Sequence, residues 1–150
     1  MTIRPILIHP DPRLKKTADP IANISDELRA LADDMIATMY DAPGIGLAAP
    51  QLGISQRLIT MDCSAKDADP EPVVLINPEV LWSSEEKNTY EEGCLSIPEQ
   101  FADVERPAEV DVRWMDVDGG THERRLDGLW ATCVQHEIDH LNGILIIDYL

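Results

Sequence analysis

The stretch QHEIDH, residues 135–140, places two histidines four positions apart. On a helix, the side chains of His136 and His140 lie about 6 Å apart on one face, where both can bind one metal ion. Glu137 follows the first histidine and can reach a water on that ion without being a ligand. This His-Glu-x-x-His arrangement is typical of metallohydrolases. It predicts a helix that carries a metal site, and the competing interpretation is a surface helix with two ordinary histidines.

A third metal ligand is needed, and the residues after His140 do not supply one. Only residues 141–150 follow, and Ile146 stands where the extended zinc-protease motif has its third histidine. Asp148 is the one acid left, and it is too close in sequence to return from a second helix. The third ligand is therefore expected upstream of the two histidines.

Three cysteines, an odd number for a disulfide framework, are free thiols, buried residues or metal ligands in a reducing compartment. Cys133 lies about 10 Å before His140 along a helix axis and reads as a small buried hydrophobe. Cys63 ends a predicted strand. Cys94 follows Gly93, and a glycine lets the backbone approach another group closely. Cys94 is the better candidate ligand; the alternative is a turn with an incidental cysteine.

The rest of the sequence predicts an α+β fold in one domain, residues 1–150. Ser25 caps a helix that ends near Asp41, before a Pro-Gly pair. Its apolar side chains recur at helical spacing: Leu28, Leu31, Ala32, Met35, Ile36 and Met39. Strands are predicted at residues 57–61, 73–76, 110–114 and 121–126, with a DGG turn at residues 118–120. Asp127 is expected to cap the final helix, from about Gly128 to Leu141.

Composition excludes several classes of function. The formal net charge of −16 repels phosphate backbones, and no basic patch offsets it, so direct nucleic-acid binding is not expected. The sequence contains no apolar stretch long enough to span a bilayer and no secretory signal at its start, so neither a membrane partner nor export is expected. A cytoplasmic enzyme is the expectation.

Three segments together resemble the peptide deformylase family, in its bacterial, Gram-negative-like form: GIGLAAPQ at residues 44–51, EGCLS at 92–96 and QHEIDH at 135–140. The resemblance covers the chain from Ile3 to Leu150. It implies a small α+β domain of mostly antiparallel β-sheet around a central metal-binding helix, with an N-terminal helix. It also implies hydrolysis of the N-formyl group from N-formylmethionyl peptides of newly made proteins, with release of formate.

The resemblance also assigns roles to residues. It implies that the metal ligands are Cys94, His136 and His140. Glu137 is the implied general acid/base, and the Gln51 side-chain amide with the Leu95 backbone N–H is the implied oxyanion site. The implied substrate-binding residues are Gly46, Ile45 and Gly93, with the Gly46 backbone pairing with the peptide as an added strand.

Further implications concern the metal and the partners. One divalent ion per chain is expected, Fe(II) in the cell, with Zn(II), Ni(II) or Co(II) as substitutes, since thiolate with imidazole suits all four. Partners are the nascent peptides and, transiently, the ribosome. Many relatives continue past Leu150 into a basic helix used in docking, which leaves that route in question. Phe101 stands where some relatives have arginine, and the Glu92–Arg106 pair is interpreted as a feature of stability.

Three other functions fit parts of the sequence. A metalloprotease or other metal-dependent amidase would use the same water chemistry on an internal bond, but the missing downstream ligand disfavours it. A non-catalytic metal-binding module would need Cys63 or Cys133 to close the fourth coordination position. A deformylase-like protein without activity would keep the ligands, and the presence of Glu137 and Gln51 weighs against it.

Overall fold

The computed structural model describes residues 2–65 and 67–149. Its α-helices are α1 at Asp26–Asp41 and α2 at Gly128–Leu141. The strands are β1 at Gly46–Ala48, β2 at Leu58–Met61, β3 at Val73–Ser83, β4 at Lys87–Cys94, β5 at Ile97–Pro107, β6 at Glu109–Met115 and β7 at Thr121–Asp127. Short 3-10 helices lie at Pro12–Lys15, Ala49–Leu52 and Ile146–Tyr149. No helix among the described residues has the length and apolarity needed to cross a membrane.

The strands form two antiparallel sheets. The larger has the order β1-β2-β3-β6-β7, and the smaller is the β4–β5 hairpin. Because β1 lies at an edge, one side of its backbone has no strand partner in the described part of the chain. The predicted α+β class, with mostly antiparallel sheet, an N-terminal helix and a central second helix, is confirmed.

Helices cover both faces of the sheet at β2 and β3. Leu58 and Ile76, which are partners in register, pack with the apolar residues of α1. Ile59 and Leu75, the next pair, point to the other face and pack with α2. All four residues of β2 are therefore buried, which explains why this strand reads as a continuous apolar run. The sheet thus holds α2 inside the molecule, with both histidines buried.

Both helices span the predicted ranges, but only one is capped as expected. The Ser25 hydroxyl accepts a hydrogen bond from the Leu28 N–H at 3.2 Å, as an N-cap residue should. Asp127 is the N-cap residue of α2, as predicted, but its side chain makes no capping hydrogen bond. Gly128, the first residue of α2, has a φ of 53°, a left-handed conformation that glycine adopts readily.

Strand β3 continues well beyond the predicted residues 73–76. The sequence reads as a break at Asn77-Pro78, but the structure has a bulge there, with register shifts between Ile76 and Glu79. Asn77 has a φ of 51°, and its side-chain amide forms two hydrogen bonds of 2.8 Å with the backbone of Ile21. The contact with Ile21, distant in sequence, therefore stabilises the bulge at a position where the local sequence predicts that the strand ends.

The β4–β5 hairpin is absent from the sequence-based prediction. Its buried face carries Ala102 and Val104, which pack with apolar residues from both ends of the chain. Its other face is exposed and mostly charged. Few of its residues are apolar, so the alternation that marks a strand is weak. Cys94, for which a turn was the alternative interpretation, is the last residue of β4.

Gly143 ends α2 in a conformation that only glycine fits well. Its φ is 74°, and an added Cβ would overlap the Lys15 backbone carbonyl. Gly119 is a matched control, because its φ is 86° and the nearest atom to an added Cβ is 3.9 Å away. We expect Gly119→Ala to lower the free energy of unfolding by about 1 kcal/mol through strain alone. Gly143→Ala should cost about 2–4 kcal/mol in urea unfolding, since overlap adds to strain. Equal losses would contradict the packing described.

Candidate active site

Three potential metal ligands meet beside the C-terminal half of α2. One donor atom from each of Cys94, His136 and His140 lies within 4.8 Å of the other two. The Cys94 Sγ and His140 Nε2 are 3.3 Å apart. The histidines share a helix face because they are four residues apart, and Cys94 reaches them from the end of β4. The three predicted ligands are therefore brought together, as a mononuclear site requires.

The neighbouring Glu92 carboxylate fixes the His136 ring. His136 Nδ1 donates to Glu92 Oε1 at 2.9 Å, so Nε2 is the nitrogen of this ring that remains for a metal ion. Arg106 donates to both oxygens of Glu92, at 2.7 and 2.9 Å, and to Asp139 at 2.8 Å. Burial raises the pKa of Glu92, but these hydrogen bonds with His136 and Arg106 outweigh it and lower the pKa below its usual value. The ion pair interpreted as a stability feature thus also orients a ligand.

The electrostatics of the site favour a cation beside the ligands. Burial lowers the pKa of His136, but the negative charge of Glu137 and the hydrogen bonds with Cys94 and Glu92 outweigh it and raise the pKa to about 10. Burial raises the pKa of Glu137 to about 7 and lowers that of His140. Buried carboxylates therefore stabilise positive charge where the ligand atoms meet.

One buried carboxylate oxygen at the site has no partner. Glu137 Oε1 forms no hydrogen bond within the described residues, while Oε2 lies 4.0 Å from His136 Nε2. A buried polar atom without a partner indicates a water or ion in the functional protein. A thiol, two imidazoles and this free carboxylate fit a divalent ion with a polar group beside it. Cys63 and Cys133 do not belong to the ligand group, which weighs against a closed structural site.

Gln51 points its amide nitrogen at the ligands. Its Oε1 accepts a hydrogen bond from the Ala48 N–H at 2.9 Å. Because a backbone N–H can only donate, this contact identifies which end of the amide is the oxygen. Its Nε2 donates to the Ser96 hydroxyl at 3.1 Å and lies 3.7 Å from Cys94 Sγ. The role of Ser96 was not predicted, although its place two residues after Cys94 in the EGCLS segment was the available signal. Leu95 lies between Cys94 and Ser96, in the turn after β4.

Gly46 turns its backbone groups away from the sheet. The Asp62 N–H donates to the Ile45 carbonyl, so in the antiparallel register the next pair, Gly46 and Met61, is not hydrogen-bonded. The N–H and C=O of Gly46 therefore point to the open edge of β1.

Gly46 also needs its lack of a side chain. An added Cβ would lie 2.6 Å from Glu137 Oε2 and 2.8 Å from Cys133 Sγ. The edge strand can thus approach the helix that carries the histidines. Cys133 is buried, as predicted, but its sulfur also contacts this strand.

A cavity of about 730 Å³ leads from the ligands to the surface. All three predicted substrate-binding residues, Ile45, Gly46 and Gly93, line it. Gln51 and Glu137 lie at its inner end. The other two histidines are elsewhere: His122 stacks on Trp114, and His9 is exposed near the N-terminus.

A buried helix with two histidines, a thiol from a neighbouring strand, and a carboxylate and an amide beside them define a metal-dependent hydrolase. The family model for polypeptide deformylase matches residues 3–150, and the chain belongs to the peptide deformylase family.

Individual relatives agree with this assignment over most of their lengths. The peptide deformylase of Afipia carboxidovorans is 59% identical over 150 residues, covering 100% of this chain and 88% of the relative. The crystal structure of peptide deformylase from Thermotoga maritima has a TM-score of 0.93 and 43% identity, covering 99% and 97% of the two chains. A Met-Ala-Ser-bound class I type b peptide deformylase from Acinetobacter baumannii has a TM-score of 0.93 and 39% identity, covering 99% of each chain.

We expect Glu92→Gln to weaken metal binding by about 10- to 100-fold, because His136 loses the carboxylate that orients it. Competition with a chromogenic chelator measures this affinity. Asp139→Asn is the matched control, since Asp139 also pairs with Arg106 but forms no hydrogen bond with a ligand. If Asp139→Asn reduced the metal affinity as much as Glu92→Gln, the effect would lie in the Arg106 network and not in the His136 ring.

Proposed function

We propose that this chain, as a single catalytic domain over residues 1–150, hydrolyses the N-formyl group of N-formylmethionyl peptides and releases formate. The observation that carries the proposal is the meeting of the Cys94, His136 and His140 donor atoms beside the unpartnered Glu137 oxygen. Its substrates are newly made chains, so we place the activity in the cytoplasm with transient access to the ribosome.

The peptide is proposed to bind as an added strand at the edge of β1. The outward N–H and C=O of Gly46 offer two main-chain hydrogen bonds, and Ile45 and Gly93 also line the cavity. Main-chain pairing gives affinity without dependence on side chains. This suits an enzyme whose substrates share a formyl-methionine start and differ afterwards.

Cys94, His136 and His140 are the residues proposed to hold one divalent ion. When bound, such an ion lowers the pKa of a water and supplies a nucleophile near neutral pH. Glu137 accepts the proton from the attacking water and returns it to the amine nitrogen as the formyl C–N bond breaks. Formate and a free N-terminal amine are the products, and together they contain the atoms of the substrate and one water.

The Gln51 amide and the Leu95 backbone N–H are proposed to stabilise the oxyanion that forms on the formyl group. The Ala48 and Ser96 contacts hold the Gln51 amide before substrate binds, so no reorganisation is needed during the reaction. A preorganised donor of this kind lowers the barrier by about 3–4 kcal/mol.

Formate release from a formyl-Met-Ala-Ser peptide tests the proposal. We expect Glu137→Gln to reduce kcat by about 10²- to 10⁴-fold while keeping the metal, because only the proton-transfer group is lost. Cys94→Ala should lose both metal and activity. Cys63→Ala is the matched control, since this thiol lies outside the ligand group and should leave both measurements unchanged. Equal rates in all three variants would end the proposal, as would cleavage of an internal peptide bond without formate release.

Fe(II) is the metal that we propose for the functional enzyme in the cell. Protein prepared anaerobically should contain about one iron per chain, with activity that falls on exposure to air, because an Fe(II)–thiolate site is open to oxidation. Metal analysis and formate release on the same samples measure this. Activity with zinc alone, and none with iron, would contradict it.

A further inference from the structure

Two cysteines that take no part in the proposed reaction share one region of the core. Cys63 follows β2 and Cys133 lies on α2, and both belong to the buried cluster between the sheet and that helix. They are 8% and 4% exposed. With Cys94 assigned to the metal, they are the two remaining thiols of the chain.

Two backbone carbonyls place these thiols beside each other. The Cys133 Sγ lies 3.7 Å from the Ile45 carbonyl oxygen. The same oxygen accepts a hydrogen bond of 2.8 Å from the N–H of Asp62, the residue before Cys63. The Cys63 Sγ lies 4.0 Å from the Leu129 carbonyl oxygen, one helical turn before Cys133. Each sulfur therefore contacts a carbonyl that adjoins the other cysteine.

The segment that carries Cys63 is fixed by one carboxylate. Asp62 Oδ2 accepts hydrogen bonds from the Tyr40 hydroxyl at 2.6 Å and the Glu71 N–H at 3.0 Å. Asp62 Oδ1 accepts from the N–H and the hydroxyl of Ser64, at 3.0 and 2.6 Å. The backbone is thus anchored on both sides of Cys63, so the native fold of the reduced protein already holds this thiol against α2.

Cys133 is the thiol of the pair that keeps its proton. A hydrogen bond with Cys63 and burial both raise the pKa of Cys133 well above its usual value, and the negative charge of Glu137 acts in the same direction. Two sulfurs in hydrogen-bonding contact need only small side-chain rotations to reach the geometry of a disulfide. We therefore assign Cys63 as the nucleophile and Cys133 as the proton donor.

Cys133 connects the pair to the active-site cavity. It lines the cavity, and its Sγ would lie 2.8 Å from a Cβ on Gly46. The sulfur therefore packs against the residue whose N–H and C=O face the open edge of β1. A covalent S–S bond is shorter than any non-bonded sulfur contact, so oxidation moves the Cys133 sulfur and changes this packing.

We propose that Cys63 and Cys133 form a site of oxidation by peroxide, and that a disulfide between them weakens the binding of a peptide at the edge of β1. The site itself is independent of the proposed function, whereas its effect on peptide binding rests on it.

The oxidation takes two steps. The Cys63 thiolate attacks hydrogen peroxide, so that an S–O bond forms, the O–O bond breaks, and the released hydroxide takes up the proton that Cys63 had lost. The Cys133 sulfur then attacks the sulfur of the sulfenic acid, so that the S–S bond forms and the S–O bond breaks. The oxygen leaves as water with the Cys133 proton. The two sulfurs together lose two electrons, and the peroxide gains them.

Zinc-loaded protein treated with hydrogen peroxide tests the site, because zinc has no redox chemistry of its own. We expect the intact mass to fall by about 2 Da, the mass of the two thiol hydrogens. Trypsin separates the three cysteines into residues 58–66, 88–113 and 126–150, and the first and third of these should be cross-linked. Dithiothreitol should release the cross-link.

The KM for a formyl-Met-Ala-Ser peptide tests the effect of the disulfide. We expect it to rise by about 10-fold on oxidation with kcat little changed, about the effect of losing one main-chain hydrogen bond. Reduction should restore it. Calorimetry with Met-Ala-Ser, the deformylated product, should show the same loss of affinity, so a failure of the proposed activity would leave this test intact.

Cys63→Ala is the matched variant, because it removes one thiol of the pair and leaves the ligand group complete. Its KM should match that of the reduced parent protein and should not respond to peroxide. Cys63→Ser, which keeps the size of the side chain, should behave in the same way.

Three results would overturn the inference. If both thiols stayed open to alkylation after peroxide and no cross-linked peptide formed, the site would be refuted. A cross-link that left both KM and product affinity unchanged would refute its effect on binding. An equal rise in KM in Cys63→Ala would place the oxidation at Cys94.

Discussion

A single carboxylate joins the two parts of the molecule that make the site. Glu92 on β4 is bound to Arg106 on β5 and to His136 on α2, so it ties the hairpin to the buried helix. Cys94 is two residues further along β4, just after an irregularity in the register at Gly93 and Cys94. Once Glu92 meets His136, the thiol is placed at His140. The meeting of the ligands is thus a consequence of one buried hydrogen-bonded ion pair, whose loss would leave uncompensated charge in the interior.

The close approach of the edge strand to α2 is the second condition. Gly46 has no side chain, so the carboxylate of Glu137 and the thiol of Cys133 fill the space against its backbone. The same residue keeps its N–H and C=O directed to the open edge of β1. One small residue therefore brings the open edge of β1 and the Glu137 carboxylate together, and both line the cavity.

Local patterns predicted elements whose evidence lies within a few residues. The Ser25 cap, the apolar stripe of α1 and the alternation in β6 are local features, and each agrees with the structure. The length of β3 and the β4–β5 hairpin were not predicted, because their stability comes from distant contacts such as the Asn77–Ile21 pair and the packing of both chain ends. Asp127 occupies the predicted N-cap position, but its side chain makes no capping hydrogen bond beside the left-handed Gly128.

The sequence by itself determined the identity of the donors, since the spacing of His136, Glu137 and His140 places them on one helical turn whatever surrounds them. It also selected Cys94 and Gln51 through the resemblance of their segments. Only the tertiary structure decided which way each group points: that Glu92 orients His136, that Ser96 holds Gln51, and that Phe101 lies over Gly93 at the cavity mouth. The reason is physical, because these contacts join residues far apart in the chain, and their geometry is set by strand register and burial that local sequence does not contain.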